Sequence, residues 1–148
     1  MRVFLDTNVI VSAFVARGLC ADLFRLLLAE NDLIVGEVVL AELRDVLRTK
    51  LGAPEQVICE LESLLREQIV VRRPAEPSAL EIADPDDAWV LASAIAGEAD
   101  VLVTGDQDLL AVASDASIPI WAPRRLWEHL RQLSAADPSH PASGDPDR

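Results

Sequence analysis

Five short runs rich in Val, Ile and Leu, at 2–6, 32–36, 69–72, 100–104 and 118–121, recur along this 148-residue chain, with longer stretches of helical period between them. Strands that alternate with such stretches assemble into a parallel sheet, because two neighbouring strands running the same way need a long return connection, and a helix supplies it. Val101-Leu102-Val103 is continuously apolar, as a strand covered on both faces must be. The chain is therefore read as α/β, with a central, mainly parallel five-stranded sheet. Helices are expected over 9–16, 20–30, 37–51, 54–67, 85–97, 106–113 and 123–133.

Several of these helices have readable ends. Asp106 suits the cap of the helix that opens after Gly105, Pro54 and Pro123 suit first turns, and Gly97 suits a stop. Gly105 is also expected to let the backbone turn tightly toward a ligand. From Ser134 onward the composition changes to Ser, Pro, Asp and Ala with almost no large apolar residue, so one domain is expected at 1–133, followed by a disordered acidic, Pro- and Ser-rich tail at 134–148. No internal repeat is visible, and 73–83, with Pro74 and Pro77, reads as a connecting loop.

A hydrophobic fraction of 51% supplies enough apolar side chain for a core that needs neither disulfides nor structural metal. Cys20 and Cys59 are too few and too isolated for a disulfide framework or a zinc knuckle, and each reads as a buried free thiol, consistent with a reducing cytoplasm. The apolar start at Val3-Phe4-Leu5 is interrupted by Asp6, and no run approaches the roughly 20 residues of a membrane-spanning helix, so a soluble, unprocessed cytoplasmic protein with no membrane partner is expected. The formal charge is −12; three Asp and one Arg fall after residue 133, leaving −10 on residues 1–133. Nucleic-acid affinity comes mostly from Lys and Arg neutralising phosphates, so a chain this acidic does not bind RNA passively, and metal must help if it handles RNA at all.

The acids are placed unevenly. Asp6 closes the first strand, where Asp is disfavoured, and Asp106 lies just past the fourth, both where the βα loops of a parallel sheet converge on ligands. Asp84-Pro85-Asp86-Asp87 puts three carboxylates directly ahead of an apolar helix. The helix dipole favours acids in a first turn by about 0.3 to 1 kcal/mol each, which accounts for one or two of them better than for three. Glu42 sits in Val38-Val39-Leu40-Ala41-Glu42-Leu43, on or beside the buried stripe; pairing with Arg48 or a place on the solvent edge of the helix are the other readings.

Asp6-Thr7-Asn8 after a strand, an isolated Glu42 in the third helix, Asp-Pro-Asp-Asp-x-x-x-Leu-Ala at 84–92 and Thr-Gly-Asp-x-Asp-Leu-Leu at 104–110 occur in that order. Together they resemble the PIN-domain family over residues 1–133, and most closely its VapC-like members, toxin components of type II toxin–antitoxin pairs. The resemblance implies a PIN-like α/β/α sandwich and a Mg²⁺- or Mn²⁺-dependent ribonuclease, an endonuclease with one or two ions per site. By it, Asp6, Glu42, Asp87 and Asp106 are the catalytic and metal-ligating acids, with Thr7, Asn8, Asp84, Asp86, Thr104 and Asp108 in support. Counting back from Leu91-Ala92 favours Asp87 within its cluster, with Asp84 and Asp86 one step removed. It also implies an RNA substrate, a cognate antitoxin that covers the cleft, and a homodimer joined through Trp127 and Leu130 or the helix at 20–30.

The residue types are consistent with that chemistry. His129 and His140 are the only histidines and neither falls near the acids, whereas grouped carboxylates suit hard ions such as Mg²⁺. Metal-activated water attacking in line leaves 5′-phosphate and 3′-hydroxyl ends. Lys50 is the only lysine; Arg17, Arg44, Arg48, Arg72, Arg73, Arg124 and Arg125 are candidates to guide RNA, although solvated surface charge is the commoner role. Trp89, Trp121 and Trp127 are able to stack bases, yet their apolar helix and strand contexts favour core or interface packing. A haloacid-dehalogenase-like phosphatase needs a second Asp where Asn8 stands, and a receiver domain needs a late-strand lysine. The remaining alternative is a catalytically weak PIN-like module that binds RNA or protein.

Overall fold

The computed structural model describes residues 1–136. Its elements are β1 (Arg2–Leu5), α1 (Thr7–Val15), α2 (Leu19–Glu30), β2 (Asp32–Gly36), α3 (Glu37–Asp45), α4 (Glu55–Arg66), β3 (Ile69–Val71), α5 (Pro85–Ala96), β4 (Val101–Val103), α6 (Gln107–Ala111), β5 (Ile120–Trp121) and α7 (Pro123–Ala136). The five strands form one sheet in the order β3-β2-β1-β4-β5, and every neighbouring pair is parallel. The α/β reading with a five-stranded sheet holds, and the sheet is wholly rather than mainly parallel.

The strand order places the site. From β1 the chain steps outward to β2 and β3, then returns across the sheet to β4 on the other side of β1. Right-handed crossovers in opposite directions put their helices on opposite faces, so β1 and β4 are covered twice. Val3, Phe4 and Leu5, and Val101, Leu102 and Val103, are accordingly all fully buried regardless of which face they point to. The edge strand β3 is half-buried along its length. The direction of winding reverses between β1 and β4, and open α/β sheets bind ligands in the crevice beyond the carboxyl ends of such a pair.

The helices bury one stripe each: Leu23 and Leu27 on α2, Val39, Leu40 and Leu43 on α3, and Ile58, Leu61 and Leu65 on α4. The single helix expected over 37–51 is α3 continued by a wider turn, Val46–Lys50, in which the Leu51 amide bonds the Val46 carbonyl five residues back at 3.1 Å. Gly97 does end α5, with φ −79, but for packing rather than for a left-handed conformation: a Cβ there would come 2.6 Å from Val71 Cγ2. Gly105 has no positive φ either. Its amide donates to Asn8 Oδ1 at 2.8 Å, and that side chain fills the space where a Cβ would go.

Cys20 is half-buried and Cys59 exposed, so the expected burial of Cys59 fails; it lies off the apolar stripe of α4. The helix α7 runs three residues past 133 to Ala136, and the rest of the segment expected to be a disordered tail lies outside the described residues. Leu126 and Leu130 are buried, and α7 packs on α2 within the chain, so Leu130 is not free for the expected dimer contact. Among the described residues no helix is long and apolar enough to cross a membrane.

Candidate metal centre

Asp6 follows β1 directly and caps α1, its Oδ1 accepting the Thr7 amide at 2.8 Å. Its own amide still pairs with the Val103 carbonyl at 3.0 Å, so its backbone is held in register with β4. Its Oδ2 accepts the Thr104 hydroxyl at 2.8 Å and the Asn8 carboxamide at 3.1 Å. Only 3% of Asp6 is exposed. Burial raises its pKa above the ordinary 3.8, with the charge of Asp106 adding to the effect, while the bonds from Thr104, Thr7 and Asn8 act the other way.

Thr104 joins the two strand ends. Fully buried at the close of β4, its oxygen accepts the Asp106 amide at 3.0 Å while its proton goes to Asp6. Asn8 adds a second tie, donating to Asp6 and to Thr104 through Nδ2 and holding Gly105 through Oδ1. Asp106 caps α6 by accepting the Asp108 amide at 2.8 Å.

The third approach comes from α5. Asp84 caps it, accepting the Asp86 amide at 3.0 Å, and Pro85 occupies its first turn. Asp84 and Asp86 are exposed, whereas Asp87 turns inward with 7% exposure. Its Oδ2 is buried and has no hydrogen-bond partner among the described residues. A carboxylate so placed is costly unless it is protonated or meets a cation. Burial, followed by the charges of Asp106, Asp6 and Asp84, pushes its pKa up to about 8.

Asp87, Asp106 and Asp108 each offer an oxygen, and the three oxygens lie within 4.8 Å of one another. A donor set of carboxylates alone, one oxygen of which lacks a partner, fits a hard divalent cation. Asp6 borders this group through Thr104 and Asp106. Glu42 lies outside it.

The exposed residue Glu42 is on the solvent edge of α3, one position off the stripe of Val39, Leu40 and Leu43. Its carboxylate turns into the cleft and accepts the Thr7 hydroxyl at 3.0 Å. Loss of water there raises its pKa, and Asp6, Asp86 and Asp84 contribute. It has no bond to Arg48, which pairs with Glu55, nor to Arg44, which pairs with Glu62. His129, the one described histidine, packs its ring edge-on against Trp121 at 5.0 Å.

The structure thus brings Asp6, Thr7, Asn8, Asp87, Thr104, Asp106 and Asp108 together, puts Glu42 at the rim, and leaves Asp84 and Asp86 on the exposed turn that feeds Asp87. One neighbour of the site carries no acid: the half-buried Trp89 forms part of the wall of a cavity beside Glu42, with the Arg73 guanidinium over its ring, 4.1 Å from the centroid. Their spacing of sixteen residues across an irregular loop carries no periodic signal.

The PIN domain family model matches residues 2–108. No curated protein matches the sequence. Among solved structures, the chain is similar to VapBC2 of Rickettsia felis bound to a DNA fragment from its promoter, with TM-score 0.60 and 22% identity over 82% of this chain and 98% of that one. It is also similar to VapBC-1 of nontypeable Haemophilus influenzae, with TM-score 0.60 and 21% identity over 84% and 99%. A third likeness is to Mycobacterium tuberculosis VapC20, described as a sarcin-ricin loop cleaving toxin, with TM-score 0.53 and 16% identity over 74% and 94%.

Proposed function

This chain belongs to the PIN-domain family, and from that premise we propose that it is a divalent-metal-dependent ribonuclease, the toxin of a type II toxin–antitoxin pair. The observation that carries the reading is the buried Oδ2 of Asp87, unpartnered among the described residues, on a carboxylate grouped with those of Asp106 and Asp108 near the carboxyl ends of β1 and β4. Family membership and the likeness to VapC-type folds support nuclease chemistry and an antitoxin partner; the name of VapC20 supports RNA as the substrate class.

Asp6, Asp87 and Asp106, with Asp108 beside them and Glu42 at the rim, would hold Mg²⁺ or Mn²⁺, one or two ions per site. A bound divalent ion supplies water of lowered pKa and neutralises charge on the phosphate oxygens. The chain's own residues prepare for this. Thr104, Asn8 and the Thr7 amide fix Asp6, so that little reorganisation is left for the reaction. Asp87 holds a proton at neutral pH when no cation is near and releases it when one arrives. Thr7 steadies Glu42 facing the cleft. Hydrolysis breaks the bond from phosphorus to the 3′ oxygen; the oxygen of water stays on the 5′-phosphate, and a proton ends on the 3′-hydroxyl.

A homodimer in the cytoplasm completes the proposal, with an antitoxin segment covering the cleft. The test is 5′-end mapping of total cellular RNA after incubation with the purified protein and Mn²⁺, alongside EDTA and Asp87→Asn controls. Cuts bearing 5′-phosphates that disappear in both controls are expected. Ends bearing 2′,3′-cyclic phosphate would sink the mechanism, and metal binding without any cut would leave a PIN-fold module that binds RNA or protein without cleaving it.

A further inference from the structure

The cavity beside Glu42, of about 350 Å³, is walled by Asp45, Arg73, Asp86 and Trp89 as well. Its size falls in the range of clefts that accept small molecules, roughly 300–1,000 Å³. Arg73 is exposed and, like Arg17, Arg72, Arg124, Arg125 and Arg131, is in no ion pair with a carboxylate among the described residues, whereas Arg25, Arg44, Arg48 and Arg66 are each paired. Arg125 also lies over a ring, that of Trp121, but of the two pairs only Arg73 and Trp89 line this cavity. The Arg73 guanidinium covers the half-buried indole of Trp89. A guanidinium kept on an aromatic face and off nearby carboxylates is held by a weak contact that a stronger partner displaces.

We propose that this cavity is a nucleotide subsite, in which an unpaired base of the RNA replaces the Arg73 guanidinium on the Trp89 ring and the freed guanidinium grips the adjoining phosphate. The inference rests on the ribonuclease reading and adds to it the place and chemistry of one subsite, for a base turned out of a single-stranded segment. Aromatic stacking requires an unstacked base, because a base inside a duplex has no free face. The other walls set a preference. Glu42, Asp45 and Asp86 are hydrogen-bond acceptors when ionised, so the pocket favours a base whose edge carries an amino group, as cytosine and adenine do, over uracil with its two carbonyls. Glu42 borders both the cavity and the carboxylate crevice, so a base seated here brings its phosphate toward the acids.

The experiment uses the full chain with Trp121→Phe and Trp127→Phe, so that Trp89 alone emits, and titrates octacytidylate or octauridylate in Ca²⁺. Saturable quenching by octacytidylate, about tenfold tighter than by octauridylate, is expected, with a similar loss in Arg73→Ala and partial recovery in Arg73→Lys. Asp45→Asn is expected to narrow the gap between the two oligomers. Fluorescence anisotropy of labelled octacytidylate on the otherwise unaltered chain, with and without Arg73→Ala, repeats the comparison should the double-Phe background fold poorly. Quenching without RNA cleavage under Mn²⁺ supports the subsite and overturns only the nuclease reading. Cleavage with a KM unmoved by Arg73→Ala, or oligomer binding that leaves Trp89 unquenched, overturns the subsite and leaves the nuclease reading intact.

Discussion

Thr104 and Asp6 stand 98 residues apart in sequence and are joined by a 2.8 Å hydrogen bond between fully or almost fully buried side chains. The same hydroxyl accepts the Asp106 amide, so one oxygen spaces two acids. Thr104→Val keeps the volume and removes both of these bonds together with the one the hydroxyl accepts from Asn8 Nδ2. It is expected to cost about 1–3 kcal/mol in thermal or urea unfolding, because a buried carboxylate loses a donor. Mn²⁺ affinity is expected to drop about 10–100-fold, the usual effect of losing a partner that orients a ligand. Thr104→Ser should retain most of both.

Asp87 makes the stability of the metal-free protein depend on pH in a direction opposite to most carboxylates. Its pKa is raised in the fold from 3.8 to about 8, so its contribution is fully present below pH 3.8 and is lost as pH rises through 8. Glu37, Glu55 and Glu62 have lowered values from their Arg partners and lose their contribution on acidification instead. Between pH 6 and 9 the metal-free chain is therefore expected to weaken, and Asp87→Asn to abolish that slope and stabilise the chain at pH 9 by about 1–3 kcal/mol. Urea midpoints in EDTA across this range check it.

The same proton links metal binding to pH. If Asp87 must ionise to meet the cation, apparent Mn²⁺ affinity should rise about tenfold per pH unit below its pKa of about 8 and level off above it. Calorimetric titration in buffers of different ionisation enthalpy should read nearly one proton released per ion at pH 6.5. An affinity that is flat between pH 6 and 9 would show that the first ion binds elsewhere.

Gly97 tests the fold apart from the site. A methyl group at this position meets Val71 Cγ2 at 2.6 Å and Ile34 Cγ2 at 3.2 Å, so Gly97→Ala pushes α5 away from the β2–β3 edge. A loss of about 1–3 kcal/mol in unfolding is expected, and relief by Val71→Ala in the double variant would identify the contact.

How far the sequence could be read follows the range of each signal. Asp6 and Asp106 stood out because an acid beside a continuous apolar run is exceptional, and the sheet places both at one crevice. The expected strands and helices match the elements found to within a few residues. Glu42 was harder: on a helix one residue subtends 100°, so a place on the stripe and a place at its rim differ by one position, and the structure puts it at the rim. The wide turn at Val46–Lys50 was hidden for the same reason, since an i+5 bond shifts the apolar pattern by a single residue. The Arg73–Trp89 contact depends on the path of the loop between β3 and α5, and no local rule records it.

The crossing from β3 back to β4 has a consequence for the ribosome-bound chain. A polypeptide interrupted before Val101 already carries Asp6, Glu42, Asp84, Asp86 and Asp87, yet lacks the strand that lies against β1 and the Thr104 hydroxyl that aligns Asp6. Contacts so distant in sequence form late in folding, once the intervening loop has closed. Synthesis itself thus delays assembly of the acids, and the full set of carboxylates is present only when nearly three-quarters of the chain has been translated.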